Sequence, residues 1–348
     1  MTRVSVWLLP FCFALLFAAA AGSAGSGAAL KPRLVPDRYP HVDLSNRLVR
    51  MTVLLPDAEQ GYYALQRYDW SGLIARAEHA GHTFFGEIIP REDPSAKYYA
   101  IGPAEEFLAP VPPGFAEAGA GDPFVKIGVG VLERDDRPDY DQFGDYPFAT
   151  PGPWEVAHGQ DWIEFLQELD GPRGWGYSYT KRIALTADPP GFTISHRLKN
   201  TGSKTIETQH YNHNFVIIDD DPIYPSYRLK LAFAAPRPQP IPGGDPQAPP
   251  YAEFRGSEII LLRDPGGDYM LADLQGLRKS IADNEVLVEN TRTGAGLLIK
   301  GDLPVAKLRF FAVSATACPE PYVEINLPPG EQKEWAITYT FVVKGDAR

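Results

Sequence analysis

The sequence predicts an all-β protein, a large antiparallel β-sandwich with few short helices. Three observations carry this expectation. Segments with every second residue apolar recur along the chain, no stretch sustains a capped helical period over three or more turns, and 32 glycines and 34 prolines among 348 residues supply the turns that many short strands need.

In chain order, the first thirty residues, MTRVSVWLLPFCFALLFAAAAGSAGSGAAL, place Arg3 before an apolar run from Val4 to Ala21 and small residues after it. This is the pattern of a cleaved export signal, expected over 1–24, with an N-terminal extension over 25–47. Gly and Ser follow the run where a stop-transfer segment would carry basic residues, so no stable membrane anchor is expected and the location is periplasmic or secreted. Cys12 lies inside the signal. Cys318 is then the one cysteine of the mature chain, which excludes an internal disulfide. The net charge of −11 disfavours nucleic acid as a partner.

Strands are expected from Val49 (VRMTVLL), Lys126 (KIGVGVL), Trp162 (WIEFLQEL), Glu258 (EIILLR), Glu285 (EVLVEN), Ala295 (AGLLIK) and Ala306 (AKLRFFAV). Three further segments alternate most clearly. YSYTKRIAL puts Tyr177, Tyr179, Lys181, Ile183 and Leu185 on one face. FTISHRLK does so for Phe192, Ile194, His196 and Leu198, and EWAITYTFVV for Trp335, Ile337, Tyr339, Phe341 and Val343. His196 is thus expected to face the core with a hydrogen-bond partner, while His41 and His79 read as surface residues. Two Pro-rich stretches, 109–123 and 235–250, are read as rim loops of one domain over 48–346, because strand patterns of one kind lie on both sides.

The segment QHYNHNFVIIDDD, residues 209–221, is the densest in chemistry-bearing side chains. As a strand over 205–218 it sends Gln209, Tyr211, His213, Phe215 and Ile217 one way and His210, Asn212, Asn214, Val216 and Ile218 the other. His210 and His213 then point apart and cannot chelate as a pair, so no metal is expected there. Asp219–Asp221 before Pro222 reads as a solvated turn. His213 remains open between a hydrogen-bonded structural histidine and a proton-transfer group.

The wider context FTISHRLKNTGSKTIETQHYNHNFVI resembles the segment of aldose 1-epimerases (galactose mutarotases) that carries their catalytic histidine. Strand, NTG turn and a second strand closing on Asn-His, an aromatic residue and Asn recur in that order, and Asn212-His213-Asn214-Phe215 occupies the place. CPEPYVEINLPPGEQKEWAITYTFVV is similar to the closing motif of that superfamily, and GWGYSYTKRIAL to the strand before the histidine segment. The likeness spans about 160–343; the His-Gly-Gly segment the family carries upstream has no counterpart near KIGVGVL.

The resemblance implies a galactose mutarotase-like supersandwich, a carbohydrate ligand, no cofactor, and interconversion of sugar anomers by acid/base ring opening. It implies His213 and Glu324 as the catalytic pair. Glu324 shares a face with Tyr322 and Asn326 while Val323, Ile325 and Leu327 face the core. Expected substrate-binding residues are Arg67, His82, His158, Tyr211 and Asn214. His82 and His158 compete to replace the missing upstream histidine, and Arg67 has a structural alternative, pairing with Asp69 or Glu87. Two other functions use the same features: a non-catalytic carbohydrate-binding protein, and a polysaccharide lyase or hydrolase with Asp69 or Glu164 as the second carboxylate.

Overall fold

The computed structural model describes residues 34–345 except 36, 90–92, 94–96, 109–110, 236–249 and 267–268. The expected export signal, the first part of the 25–47 extension and nearly all of the 235–250 loop lie outside the described residues.

Four antiparallel sheets account for the architecture. The largest has ten strands, in the spatial order Ala252–Arg255, Glu258–Leu261, Tyr227–Leu231, Glu285–Asn290, Ala295–Gly301, Gln332–Val343, Pro190–Asn200, Gly176–Ala187, Trp162–Asp170 and Glu155–His158. A five-stranded sheet runs Met270–Asp273, Lys307–Val313, Thr316–Leu327, Ile206–Phe215, Gly102–Leu108. Smaller sheets of four strands (His41–Ser45, Val49–Leu54, Ile74–His79, His82–Phe84) and three strands (Pro123–Lys126, Gly130–Glu133, Phe148–Pro151) complete it. Helix is confined to 3-10 turns such as Phe115–Glu117 among the described residues.

The ten- and five-stranded sheets pack face to face, each turning an alternating apolar row inward, and the four-stranded sheet adds Met51, Val53 and Phe84 to the same core. Phe192 stacks on Tyr339 at 4.5 Å, and Phe341 lies 4.4 Å from Phe84. These join Val216, Leu308, Phe310 and Ala312 of the five-stranded layer in one core. A second core, with Tyr62, Tyr63, Tyr68, Trp70, Phe124 and Tyr146, packs on the other side of the five-stranded sheet through Ala104, Phe215 and Cys318. That sheet is therefore sandwiched, and a pocket in its outer cover has a rigid floor. Cys318 is a buried free thiol.

The alternating segments form strands with the expected faces inward, including buried Lys181 and His196. KIGVGVL departs from expectation: it is a hairpin, because Gly128 turns the chain at φ +80° against Asp69, where a Cβ would sit 2.8 Å from the Asp69 Cβ. His79 is buried, stacked on Phe341, with Nδ1 hydrogen-bonded to the Leu48 carbonyl oxygen. The aspartate triplet is not a solvated turn throughout. Asp221 is buried and accepts hydrogen bonds from Asn290 Nδ2 at 3.0 Å and Arg292 Nε at 2.8 Å, so the turn is tied to the neighbouring strand end.

Candidate functional site

A cleft opens on the outer face of the five-stranded sheet. Antiparallel pairing builds its floor. Tyr211 lies opposite Tyr322 and Val216 opposite Ala317, and this register brings His213 opposite Glu320. On either side, Glu106 is opposite Tyr211 and Arg309 opposite Glu320. Alternation then collects Tyr211, His213, Glu320, Tyr322, Arg309 and Phe311 on one surface. Loops contribute the walls: Arg67, Tyr98, Tyr99, Gln142, Phe143 and Tyr269.

His213 Nε2 is 3.2 Å from Glu320 Oε1. The ring stacks on Phe215 at 4.0 Å and meets Phe311 edge-on, and its Nδ1 is buried without a hydrogen-bond partner among the described residues. Tyr322 OH donates to Glu320 Oε2 at 3.1 Å. Burial pushes the Glu320 carboxyl up to about 7, outweighing the opposing pull of Arg309 and Arg67. Burial, with the same two guanidinium groups, holds His213 well below the usual histidine range. Below pH about 7 this low-dielectric site therefore holds the carboxyl in its acid form, and the imidazole stays neutral until well below the usual histidine range.

Beside them, Glu106 accepts from Arg67 Nε at 3.1 Å, Lys126 Nζ at 2.9 Å and Tyr211 OH at 2.5 Å. Arg67 also donates to the Tyr98 carbonyl oxygen and lies over the Phe143 ring. Asp273 holds Arg309 through two contacts, at 2.6 and 3.0 Å. Each of these carboxylates is committed to a cation. Among the described residues Glu320 is the carboxylate of the cleft floor whose contacts are an imidazole and a phenol.

The expected residues divide. Arg67, Tyr211 and His213 line the cleft together, and Arg67 pairs with Glu106 instead of Asp69 or Glu87. Glu324 lies opposite Gln209, exposed. At 3.3–3.4 Å per residue the four residues from Glu320 place it about 13 Å along the strand, outside the walls. Its parity was correctly read, but parity cannot distinguish positions 320, 322 and 324. Asn214 points to the opposite face, donating to the Pro319 carbonyl oxygen and accepting from Tyr339 OH. His82 sits at a hairpin end with Nδ1 3.0 Å from Asp219 Oδ2, and His158 is exposed on the edge strand of the large sheet. Asp69 and Glu164 are also elsewhere, facing Lys181 and Arg182. Glu106, Arg309, Phe311 and Glu320 escaped the sequence reading. Only Glu320 carried a usable signal, its two-residue phase with Tyr322.

No protein-family model matches the sequence, and no curated protein matches it. Solved structures do resemble it. A putative aldose 1-epimerase from Escherichia coli K12 superimposes with a TM-score of 0.53 at 16% identity, covering 87% of this chain and 99% of that one. The GalM/aldose epimerase homologue from C. elegans gives 0.54 at 12%, covering 88% and 99%. A galactose mutarotase-like protein from Lactobacillus casei ATCC 334 gives 0.50 at 14%, covering 86% and 99%. The fold is galactose mutarotase-like.

Proposed function

We propose that the cleft accelerates the interconversion of anomers of a reducing sugar by acid/base ring opening between His213 and Glu320. The observation that carries this reading is the 3.2 Å contact between a buried neutral imidazole and a carboxyl whose pKa burial raises to about 7, on the floor of a cleft lined by aromatic side chains and two arginines. The fold shared with aldose 1-epimerase-like proteins supports it.

In the opening step Glu320, in its acid form, delivers a proton to the ring oxygen while His213 accepts the proton of the anomeric hydroxyl. The bond between C1 and the ring oxygen breaks as the C1 carbonyl forms, leaving a carboxylate and an imidazolium side by side. Rotation about C1–C2 and reclosure reverse both transfers, so the pair ends as it began. The resemblance implies the glutamate as base and the histidine as acid; burial favours the opposite resting assignment, in which each group acts once as acid and once as base over the full cycle. Positioned proton transfer of this kind contributes on the order of 100- to 10,000-fold. Phe143 and Phe311 give the cleft apolar lining for the apolar side of a sugar, and Arg67 brings donors for its hydroxyls.

A hydrolytic reading is less favoured, because Glu106 and Asp273, which flank the cleft floor, are tied to cations. Acceleration of anomer exchange for a panel of free aldoses tests the proposal. Binding without acceleration for every aldose would leave a carbohydrate-binding protein on this fold. The reading includes export before action: a mature chain starting between Gly22 and Ala29 in periplasmic material supports that, and retention of residues 1–21 counts against it.

A further inference from the structure

The strand Ile206–Phe215 has a second polar face. His213 looks into the cleft, while His210 and Asn212 look into the layer between the two large sheets, where Glu105 comes from Gly102–Leu108 and His196 from Pro190–Asn200. We propose that Glu105, His196 and His210 form a divalent-metal site of the zinc class that clamps the two sheets together behind the cleft.

Their nearest ligand atoms all lie within 4.8 Å of one another, and the three residues are buried. His196 Nε2 is 3.0 Å from Glu105 Oε1, and His210 Nε2 is 3.6 Å from Glu105 Oε2. A tetrahedral centre with ligand bonds of about 2.0–2.2 Å has edges of roughly 3.3–3.6 Å; these two spacings lie near that range, and the widest pair, within 4.8 Å, closes on binding.

The hydrogen-bond pattern leaves a place for a cation at this point. His196 Nδ1 is 3.3 Å from the Trp335 carbonyl oxygen and Nε2 is 3.0 and 3.1 Å from the Glu105 oxygens, and both partners only accept. A neutral ring has one hydrogen for these two acceptors, so one ring nitrogen turns a lone pair toward an oxygen. A cation at Nε2, with the hydrogen on Nδ1, relieves that contact. A backbone carbonyl on Nδ1 is also the usual outer partner of a metal-ligating histidine. Both His210 ring nitrogens and Asn212 Oδ1 are buried without a hydrogen-bond partner among the described residues. A narrow cavity lined by His210, Asn212 and Trp335 adjoins them, and Asn212 Nδ2 donates to Glu105 Oε1 at 2.7 Å, bracing the carboxylate.

Lys181 approaches Glu105 Oε2 at 2.8 Å, but Ser71 O at 2.7 Å and Asp69 Oδ2 at 3.5 Å also hold it. With both carboxylates ionised, one negative charge exceeds that lysine. The competing solution is a proton on His196, and metal analysis separates the two.

The test uses the tag-free full chain, expressed in zinc-supplemented medium and dialysed against metal-free buffer, with metal measured by mass spectrometry. About one ion per chain is expected, and His210→Gln is expected to reduce occupancy at least ~10-fold, while His82→Gln, away from the site, leaves it unchanged. Less than about a tenth of an equivalent in the wild type, or full occupancy in His210→Gln, overturns the proposal. Should that variant not fold, the wild type expressed with cobalt in place of zinc decides. An intense visible band of a four-coordinate ion supports the site, and its absence removes it.

Discussion

Replacing Glu320 by Gln removes a titrating carboxyl and keeps the shape of the cleft floor. The Gln carbonyl oxygen can still accept from Tyr322 OH, now at 3.1 Å from Glu320 Oε2, and its amide can donate to His213 Nε2, now at 3.2 Å from Oε1. The thermodynamic effect follows from the shift. Folding moves this carboxyl from 4.5 to about 7. Because the folded-state pKa is raised, the native state holds the proton more tightly. The associated stability is fully present below 4.5 and is lost as pH rises through 7. At 1.36 kcal/mol per pKa unit the loss is about 3 kcal/mol by pH ~8. Gln carries no such penalty. Urea unfolding at several pH values should therefore show Glu320→Gln close to wild type at pH ~4.5 and more stable by about 3 kcal/mol at pH ~8. Other titrating groups cancel in the difference between the two proteins. A difference flat within ~1 kcal/mol across this range, or one that grows toward acid pH, refutes the claim that burial keeps this group protonated.

Three further outcomes are expected. Glu106→Gln leaves Arg67 and Lys126, which now share the carboxylate at 3.1 and 2.9 Å, without their buried counter-charge; the loss should be about 3–5 kcal/mol in chemical denaturation. Anomerase activity should fall as pH rises through about 7, where Glu320 gives up its proton, and again in acid, where His213 charges well below its usual range; a rate that instead climbs steadily above pH ~8 contradicts the assignment. His82→Ala, His158→Ala and Glu324→Gln, all outside the cleft, should leave kcat/KM within about threefold of wild type, since removal of surface groups away from the chemistry has little energetic effect.

Much of the fold could be read from alternation. Tyr177 to Leu185 and Phe192 to Leu198 face inward as their spacing implies, because a side-chain period of two is a local property of the backbone. The same rule separated His213 from His210. Glu320 was missed because its contact with His213 depends on the register between strands about a hundred residues apart in sequence. Glu320, Tyr322 and Glu324 share one phase, and the loops over the sheet decide which are covered. Arg67 was legible as a cleft cation but not as the partner of Glu106, which the pairing of Gly102–Leu108 with Ile206–Phe215 brings under it. His79 looked exposed because its cover, Phe341, comes from the far end of the chain.

Exchange between α and β anomers, followed by nuclear magnetic resonance in a panel of free aldoses with wild type, Glu320→Gln and His213→Asn, tests the central claim most directly. The account predicts that wild type accelerates exchange for at least one sugar and that each substitution lowers the rate by about 100-fold or more, with binding of that sugar retained. Exchange in the wild type no faster than in buffer, for sugars it demonstrably binds, would contradict it. So would full acceleration in Glu320→Gln.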